Sequence, residues 1–245
     1  MNVVFFGACG GMGRALARRM AVRGDRLFLL GRAPEELRRS AGDLEIHGAP
    51  APVRSAPCDL LQAEMFGPAL DAAWQELGKI DAVVVTAGLF GTQEQLESDP
   101  RLRADVLTAD FTNTVLFCEE ARTRLLAASG GTLCVFSSVA GERGRKTVVL
   151  YGAAKAGLTH YLDGLDYKFR ARGLKTVCVK PGFVKTAMTA GLKPPPFAGD
   201  AEGVAQRVLR AIDRGRREVY APAAWRWIMC VIRNLPHFVM RRINF

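Results

Sequence analysis

The sequence predicts a single doubly wound α/β domain, a parallel sheet with helices on both faces. Two observations carry this. Short apolar runs alternate with longer helical patterns along most of the 245 residues, the rhythm of strands joined by crossover helices. The run Ala82-Val83-Val84-Val85-Thr86 is apolar almost throughout, which suits a strand covered on both faces rather than one facing water.

The elements follow in order. Residues 3–6 read as the first strand and 14–23 as the first helix, with the run Gly7-Ala8-Cys9-Gly10-Gly11-Met12-Gly13 between them. A second strand over 26–30 leads to a polar helix over 35–47, and a third strand precedes Asp59. The strand at 82–86 is followed by a helix over 108–128 and a strand over 132–136. The helix carrying Tyr151 and Lys155 runs to about residue 172 and returns as a strand over 175–179. Residues 187–200 contain Pro194-Pro195-Pro196, which no continuous helix or central strand accommodates. Following a late strand, they are expected to form a substrate-covering loop. The main domain is assigned to 1–220. Residues 221–245 form an extension rich in Trp, Met, Ile and Arg, without an acidic residue.

Composition narrows the class. Hydrophobic content of 49% with 24% charged residues fits a globular enzyme with a sizeable core. Lys and Arg number 34 against 24 Asp and Glu, a formal charge of +10. That surplus suits an anionic partner, whether phosphorylated cofactor, phosphate-bearing substrate or anionic lipid, or else reflects an Arg-favouring composition. Nucleic acid has only this charge in its favour and is not expected, since no basic and aromatic strand face resembles an RNA-binding surface. Six cysteines are scattered without a C-x-x-C pair or a His cluster. Buried thiols in a cytoplasmic protein are expected, with no metal site. No secretory leader or membrane span is predicted.

The glycine run is a cofactor motif by its chemistry. Gly7, Gly11 and Gly13 in G-x-x-x-G-x-G spacing allow a tight turn, and the helix N-terminus can then approach a pyrophosphate. Cys9, Gly10 and Met12 complete that loop. The second strand ends Leu29-Leu30-Gly31-Arg32, with no carboxylate for a ribose 2′-OH. Arg32 puts a guanidinium where a 2′-phosphate would lie, favouring NADPH over NADH; the other reading is a solvated Arg opening a helix. Asp59, with Leu60 beside it, suits an adenine amino group or a cap on the next helix. Tyr151 and Lys155, four apart, share a helix face. An ammonium beside a phenol favours the phenolate and makes it a stronger acid near neutral pH. Ser138, from a neighbouring strand, suits holding a carbonyl oxygen while Tyr151 protonates it. The plainer reading of the pair is a half-buried Tyr and a solvated Lys.

Together these motifs resemble the short-chain dehydrogenase/reductase family, from Gly7 to Thr186. Phe6 stands where the family has Thr, and Thr86-Ala87-Gly88 replaces its Asn-Ala-Gly. Ser137-Ser138 with Gly141, Tyr151 thirteen residues after Ser138, Lys155, and Pro181-Gly182-Phe183-Val184-Lys185-Thr186 match in order. The resemblance implies a Rossmann-like sheet and hydride transfer to or from a nicotinamide. Tyr151 would be the acid in reduction, Lys155 would bind the nicotinamide ribose and depress the phenol's pKa, and Ser138 would orient the carbonyl. Ala87, Gly88, Pro181, Gly182, Val184 and Thr186 would join the cofactor site. The family's fourth catalytic residue, an Asn, falls on Asp110, which would place negative charge near Lys155; a local shift would bring in Asn113 instead. Family members assemble as homodimers or homotetramers, here through helices near 108–128 and 151–172.

The segment Ser137–Arg145 and the extension further resemble bacterial reductases of decaprenylphosphoryl 2-keto-pentoses. A lipid-linked ketone and peripheral contact with the inner membrane surface are then expected of a cytoplasmic enzyme. Between residues 225 and 244, Trp225, Ile228, Met229, Ile232, Phe238 and Met240 are interleaved with Arg226, Arg233, Arg241 and Arg242. That pattern suits a helix in a membrane interface, divided at Pro236. It equally suits a helix packed on the domain or on a second subunit. The rival functions are reduction of soluble or carrier-bound ketones (3-oxoacyl, keto-sphingoid or steroid-like) and a non-catalytic dinucleotide-binding regulator.

Overall fold

Seven strands pair in parallel into one sheet, ordered by their place in the chain as third, second, first, fourth, fifth, sixth and last. The computed structural model describes residues 1–191, 194, 195 and 197–243. Leu192, Lys193 and Pro196 of the loop, and Asn244 and Phe245 of the extension, lie outside the described residues. The chain runs β1 (Asn2–Phe6), α1 (Gly11–Val22), β2 (Arg26–Gly31), α2 (Pro34–Ile46), β3 (Arg54–Pro57), α3 (Phe66–Leu77), β4 (Ala82–Val85), α4 (Gln93–Ser98), α5 (Pro100–Leu107), α6 (Thr114–Ala127) and β5 (Gly131–Phe136). It continues with α7 (Val149–Phe169), β6 (Leu174–Pro181), β7 (Val184–Lys185), β8 (Gly199–Asp200), α8 (Ala201–Asp213), β9 (Glu218–Ala221), α9 (Ala224–Asn234) and α10 (His237–Met240).

The apolar strands are explained by burial on both sides. Successive strand residues point to opposite faces. Val3, Phe5, Leu27, Leu29, Ala82 and Val84 therefore enter a core with α1, α2 and α8. Val4, Phe6, Phe28, Leu30, Val83 and Val85 enter a second core with α3, α6 and α7. Phe117 of α6 anchors the second core, its ring centroid 5.0 Å from Phe6 and 5.5 Å from Phe66.

The helix expected over 108–128 is assembled differently. α5 starts earlier, at Pro100, because Asp99 caps it by accepting from the N–H groups of Arg101 and Leu102. A π-helical stretch, Thr108–Asn113, then leads into α6. Such wide turns occur mostly as short insertions at functional sites. β7 and β8 pair in parallel, clipping together the two ends of the loop over 187–198. Pro236 stands between α9 and α10, dividing the extension as expected.

A buried ion cluster ties the sheet's late edge to the turn after β5. Lys180 of β6, 4% exposed, donates to Glu142 Oε1 at 2.7 Å and to Glu218 Oε2 at 2.8 Å. Burial opposes its charge, but the two carboxylates prevail and hold the ammonium above its ordinary value. Tyr220 donates to Glu142 Oε1 at 2.9 Å, and Arg233 Nη1 lies 3.5 Å from Glu142 Oε2. Removing one member of a buried pair strands the other's charge. Lys180→Met should therefore lower unfolding stability by about 3–5 kcal/mol, measured by urea denaturation.

Candidate active site

The site begins with two close backbone approaches. Gly7 adopts φ +101°, and a Cβ there would stand 2.6 Å from Ala87 N. A Cβ on Gly13 would stand 2.1 Å from the Gly7 carbonyl oxygen. Only glycines let the first turn close against β4 and α1 in this way. Thr86 donates from Oγ1 to the Gly7 carbonyl at 2.9 Å, bracing the turn from the next strand.

The resulting cleft, about 350 Å³, is lined by Gly7, Cys9, Gly10, Gly11, Met12, Gly13, Arg32, Asp59, Leu60, Ala87, Gly88 and Thr186, among others. The N-terminus of α1 opens onto it, with no acidic residue in the helix's first turn. Its two charged lining residues are Arg32, exposed on the rim, and Asp59. Asp59 Oδ1 accepts from the Leu61 N–H at 2.9 Å, so one oxygen holds a local turn. A cradle that a Cβ would fill, at a helix N-terminus and beside a guanidinium, fits a phosphorylated dinucleotide.

Ser138, Tyr151, Lys155 and Asp110 line an adjoining cavity of about 600 Å³, with Pro181, Gly182 and Val184. Met12, Thr86, Ala87, Gly88, Leu89 and Thr186 line both spaces, so cleft and cavity meet there. The turn after β5, Val139–Glu142, is pressed onto α7. A Cβ on Gly141 would stand 2.6 Å from the Lys155 carbonyl carbon, and one on Gly152 would stand 2.9 Å from the Ala140 carbonyl oxygen. Ser138 caps this turn, its Oγ accepting from the Ala140 N–H at 3.1 Å. Ser137 donates from Oγ to the Lys155 carbonyl at 3.0 Å and lies 2.7 Å from Thr159 Oγ1, fixing the turn of α7 that carries Lys155. The Phe90 ring meets Tyr151 edge-on at 5.3 Å.

The electrostatics differ from expectation. Lys155 Nζ donates to the Phe136 carbonyl at 3.3 Å and lies 3.6 Å from Asp110 Oδ2. Asp110 is fully buried. Its Oδ1 accepts from the Leu89 N–H at 2.8 Å, while Oδ2 has no hydrogen-bond partner among the described residues. Burial pushes the Asp110 carboxyl up from its ordinary range, against the pull of Lys155 and the Leu89 N–H. Tyr151 is not depressed by the ammonium. Burial and the charge of Asp110 push its phenol up, and a hydrogen bond with Ser138 pulls it down. Burial is the larger of the two causes, and Lys155 Nζ lies 5.6 Å from the Tyr151 ring centroid. Asn113 is placed elsewhere: it donates from Nδ2 to the Leu60 carbonyl at 2.8 Å, on the side of the glycine cleft. Asp110, not Asn113, meets Lys155. Gly88 makes room for it, since a Cβ there would stand 2.8 Å from Asp110 Oδ1.

Several cavity residues carry no sequence signal of their own. Phe90, Arg145, Phe183 and Trp225 line it from four separate segments. Trp225 and Met229, one helical turn apart on α9, face inward. These two residues pack on the domain, one of the readings the sequence left open.

A glycine cleft leading to a half-buried hydroxyl and phenol and a buried ammonium suits a nicotinamide-type oxidoreductase site on a doubly wound sheet. The family model described as short chain dehydrogenase matches residues 1–196. A Mycobacterium tuberculosis protein named as an uncharacterized oxidoreductase is 34% identical over 241 residues, covering 98% of this chain and 96% of that protein. A similarly named Streptomyces coelicolor protein is 32% identical over 252 residues, covering 99% and 95%. The fold is similar to a crystal structure of a variant of actinorhodin polyketide ketoreductase with NADPH. That match has TM-score 0.80 and 21% identity and covers 89% of this chain and 94% of that one. The chain belongs to the short-chain dehydrogenase family and is an NAD(P)-dependent oxidoreductase.

Replacing Asp110 by Asn removes negative charge facing Tyr151, so the phenol should ionise at lower pH. A downward shift is expected, read from tyrosinate absorbance on pH titration with Tyr151→Phe as the background; an unmoved titration would show that Asp110 does not bear on the phenol.

Proposed function

We propose that the protein reduces a ketone to a secondary alcohol with NADPH, on a hydrophobic or lipid-linked substrate such as a polyprenyl-phosphate keto-sugar. One observation carries the reading: Ser138, Tyr151 and Lys155 converge in a mainly apolar cavity that shares its inner wall with the glycine cleft. Bound NADPH would supply the hydride to the carbonyl carbon. Ser138 donates to the carbonyl oxygen, and Tyr151 delivers the proton that completes the hydroxyl. The raised phenol keeps its proton until the oxygen gains negative charge. Lys155 would hold the nicotinamide ribose, and Asp110, its Oδ2 3.6 Å from Nζ, holds Lys155 in place. Arg32, with no carboxylate nearby in the cleft except Asp59, supports the 2′-phosphate. The similarity to a ketoreductase structure holding NADPH supports both cofactor and reaction.

The extension supports a lipid-surface role. α9 turns Trp225 and Met229 inward, but Trp227 is 73% exposed, Val231 63% and Phe238 of α10 62%. Arg226, Arg241 and Arg242 are exposed on the same segment. Apolar side chains flanked by arginines suit an anionic bilayer surface, with the pocket working from the cytoplasmic side. Among the described residues no helix is long and apolar enough to cross a membrane. Self-association through α6 and α7 is part of the same reading, supported by Phe111 and Leu116, which are exposed on this side.

The decisive experiment compares NADPH with NADH oxidation across lipid-linked keto-sugars, 3-oxoacyl thioesters and keto-sphingoid bases. Tyr151→Phe should cut kcat at least about 100-fold while NADPH binding persists. Turnover surviving that change, or cofactor binding with no ketone reduced, refutes the reading. For the surface, the double variant Trp227→Ser, Phe238→Ser should lose co-sedimentation with phosphatidylglycerol vesicles, and a wild-type protein that stays in the supernatant rules the contact out.

A further inference from the structure

We infer that α9 builds one wall of the ketone cavity and that Trp225 sets the size of ketone admitted, an inference that rests on the reductase reading above. Trp225 is 9% exposed and lines the same cavity as Ser138 and Tyr151. Its indole lies so close to Gly182 that a Cβ there would stand 2.0 Å from Nε1. The Nε1–H donates to the Phe197 carbonyl at 3.3 Å, which ties the loop after β7 to the helix.

The ring is also fixed from behind. Met229, fully buried, packs with Trp225, Tyr220 and Val139, the residue that follows Ser138. Two polar ties hold α9 to the same turn. Arg233 Nη1 lies 3.5 Å from Glu142 Oε2, and Arg143 Nη2 donates to the Leu235 carbonyl at 3.0 Å. An aromatic ring held by close packing and a hydrogen bond cannot swing aside without losing both. The cavity therefore has a rigid boundary on the side of Pro181–Gly182, and a ketone too broad for it is excluded before its carbonyl reaches Ser138 and Tyr151. Size exclusion of this kind discriminates by about tenfold or more for each added group.

The test compares cyclohexanone with the fused bicyclic trans-decalone in the full-length protein. Trp225→Ala should shift the decalone-to-cyclohexanone ratio of kcat/KM at least about tenfold toward decalone. Trp225→Phe should move it by a smaller step in the same direction. NADPH affinity, measured by fluorescence titration, should change by less than the ketone ratio does, because Trp225 lines the ketone cavity and not the glycine cleft. A ratio unmoved in both folded variants, or an equal loss on both ketones, overturns the inference and leaves the reductase reading standing. A wild-type protein that binds NADPH yet reduces neither these two nor any ketone of the panel above defeats both, whereas one that reduces a panel ketone but neither of these overturns the size boundary alone.

Discussion

Backbone resting on backbone, at Gly141 over Lys155 and Gly152 under Ala140, is the contact on which the site depends. The turn that carries Ser138 and the helix that carries Tyr151 approach as closely as main chains can. Any side chain between them would wedge them apart by more than a hydrogen bond tolerates. Ser137 fastens the same junction from the sheet side, through the Lys155 carbonyl and Thr159. The relative placement of Ser138, Tyr151 and Lys155 is thus set by their neighbours Gly141, Gly152 and Ser137. This is the sense in which a rigid scaffold precedes a reactive site.

Charge is arranged around that junction less simply than spacing suggests. A fully buried carboxylate with one oxygen short of a hydrogen bond is costly, by about 1–3 kcal/mol for the missing bond alone. The ammonium of Lys155 at 3.6 Å offsets that cost. The same pairing turns Lys155 away from acting alone on Tyr151, whose phenol answers to burial and to Asp110 first. A second buried cluster, Lys180 with Glu142 and Glu218, sits one residue before Pro181 and joins the Ser138 turn to β9.

Much of this was legible in the sequence. The strands could be read because both faces of the sheet are buried, which leaves unbroken apolar runs such as Val83–Val85. The cleft residues could be read because a phosphate-binding turn tolerates few side chains, so Gly7 and Gly13 stand out by type and spacing. What could not be read depends on distant partners. β9 is four residues long and pairs with β6 across a helix. Trp225 earns its place from Gly182 and Phe197, far from it in the chain. Asp110 and Asn113 could not be separated by alignment, because the wide turn between α5 and α6 changes which side chain faces Lys155.

That wide turn has an evolutionary side. A π-helical turn holds one residue more than the α-helical turn it replaces, and each residue of an α-helix advances the direction of side chains by about 100°. Between Thr108 and Asn113, one codon therefore separates two registers of the same segment. In one, a carboxylate faces the ammonium and an amide holds the Leu60 carbonyl; in the other, neither partner is met. Deleting one residue between Thr108 and Asn113 would therefore turn Asp110 away from Lys155 without changing any residue at the site itself.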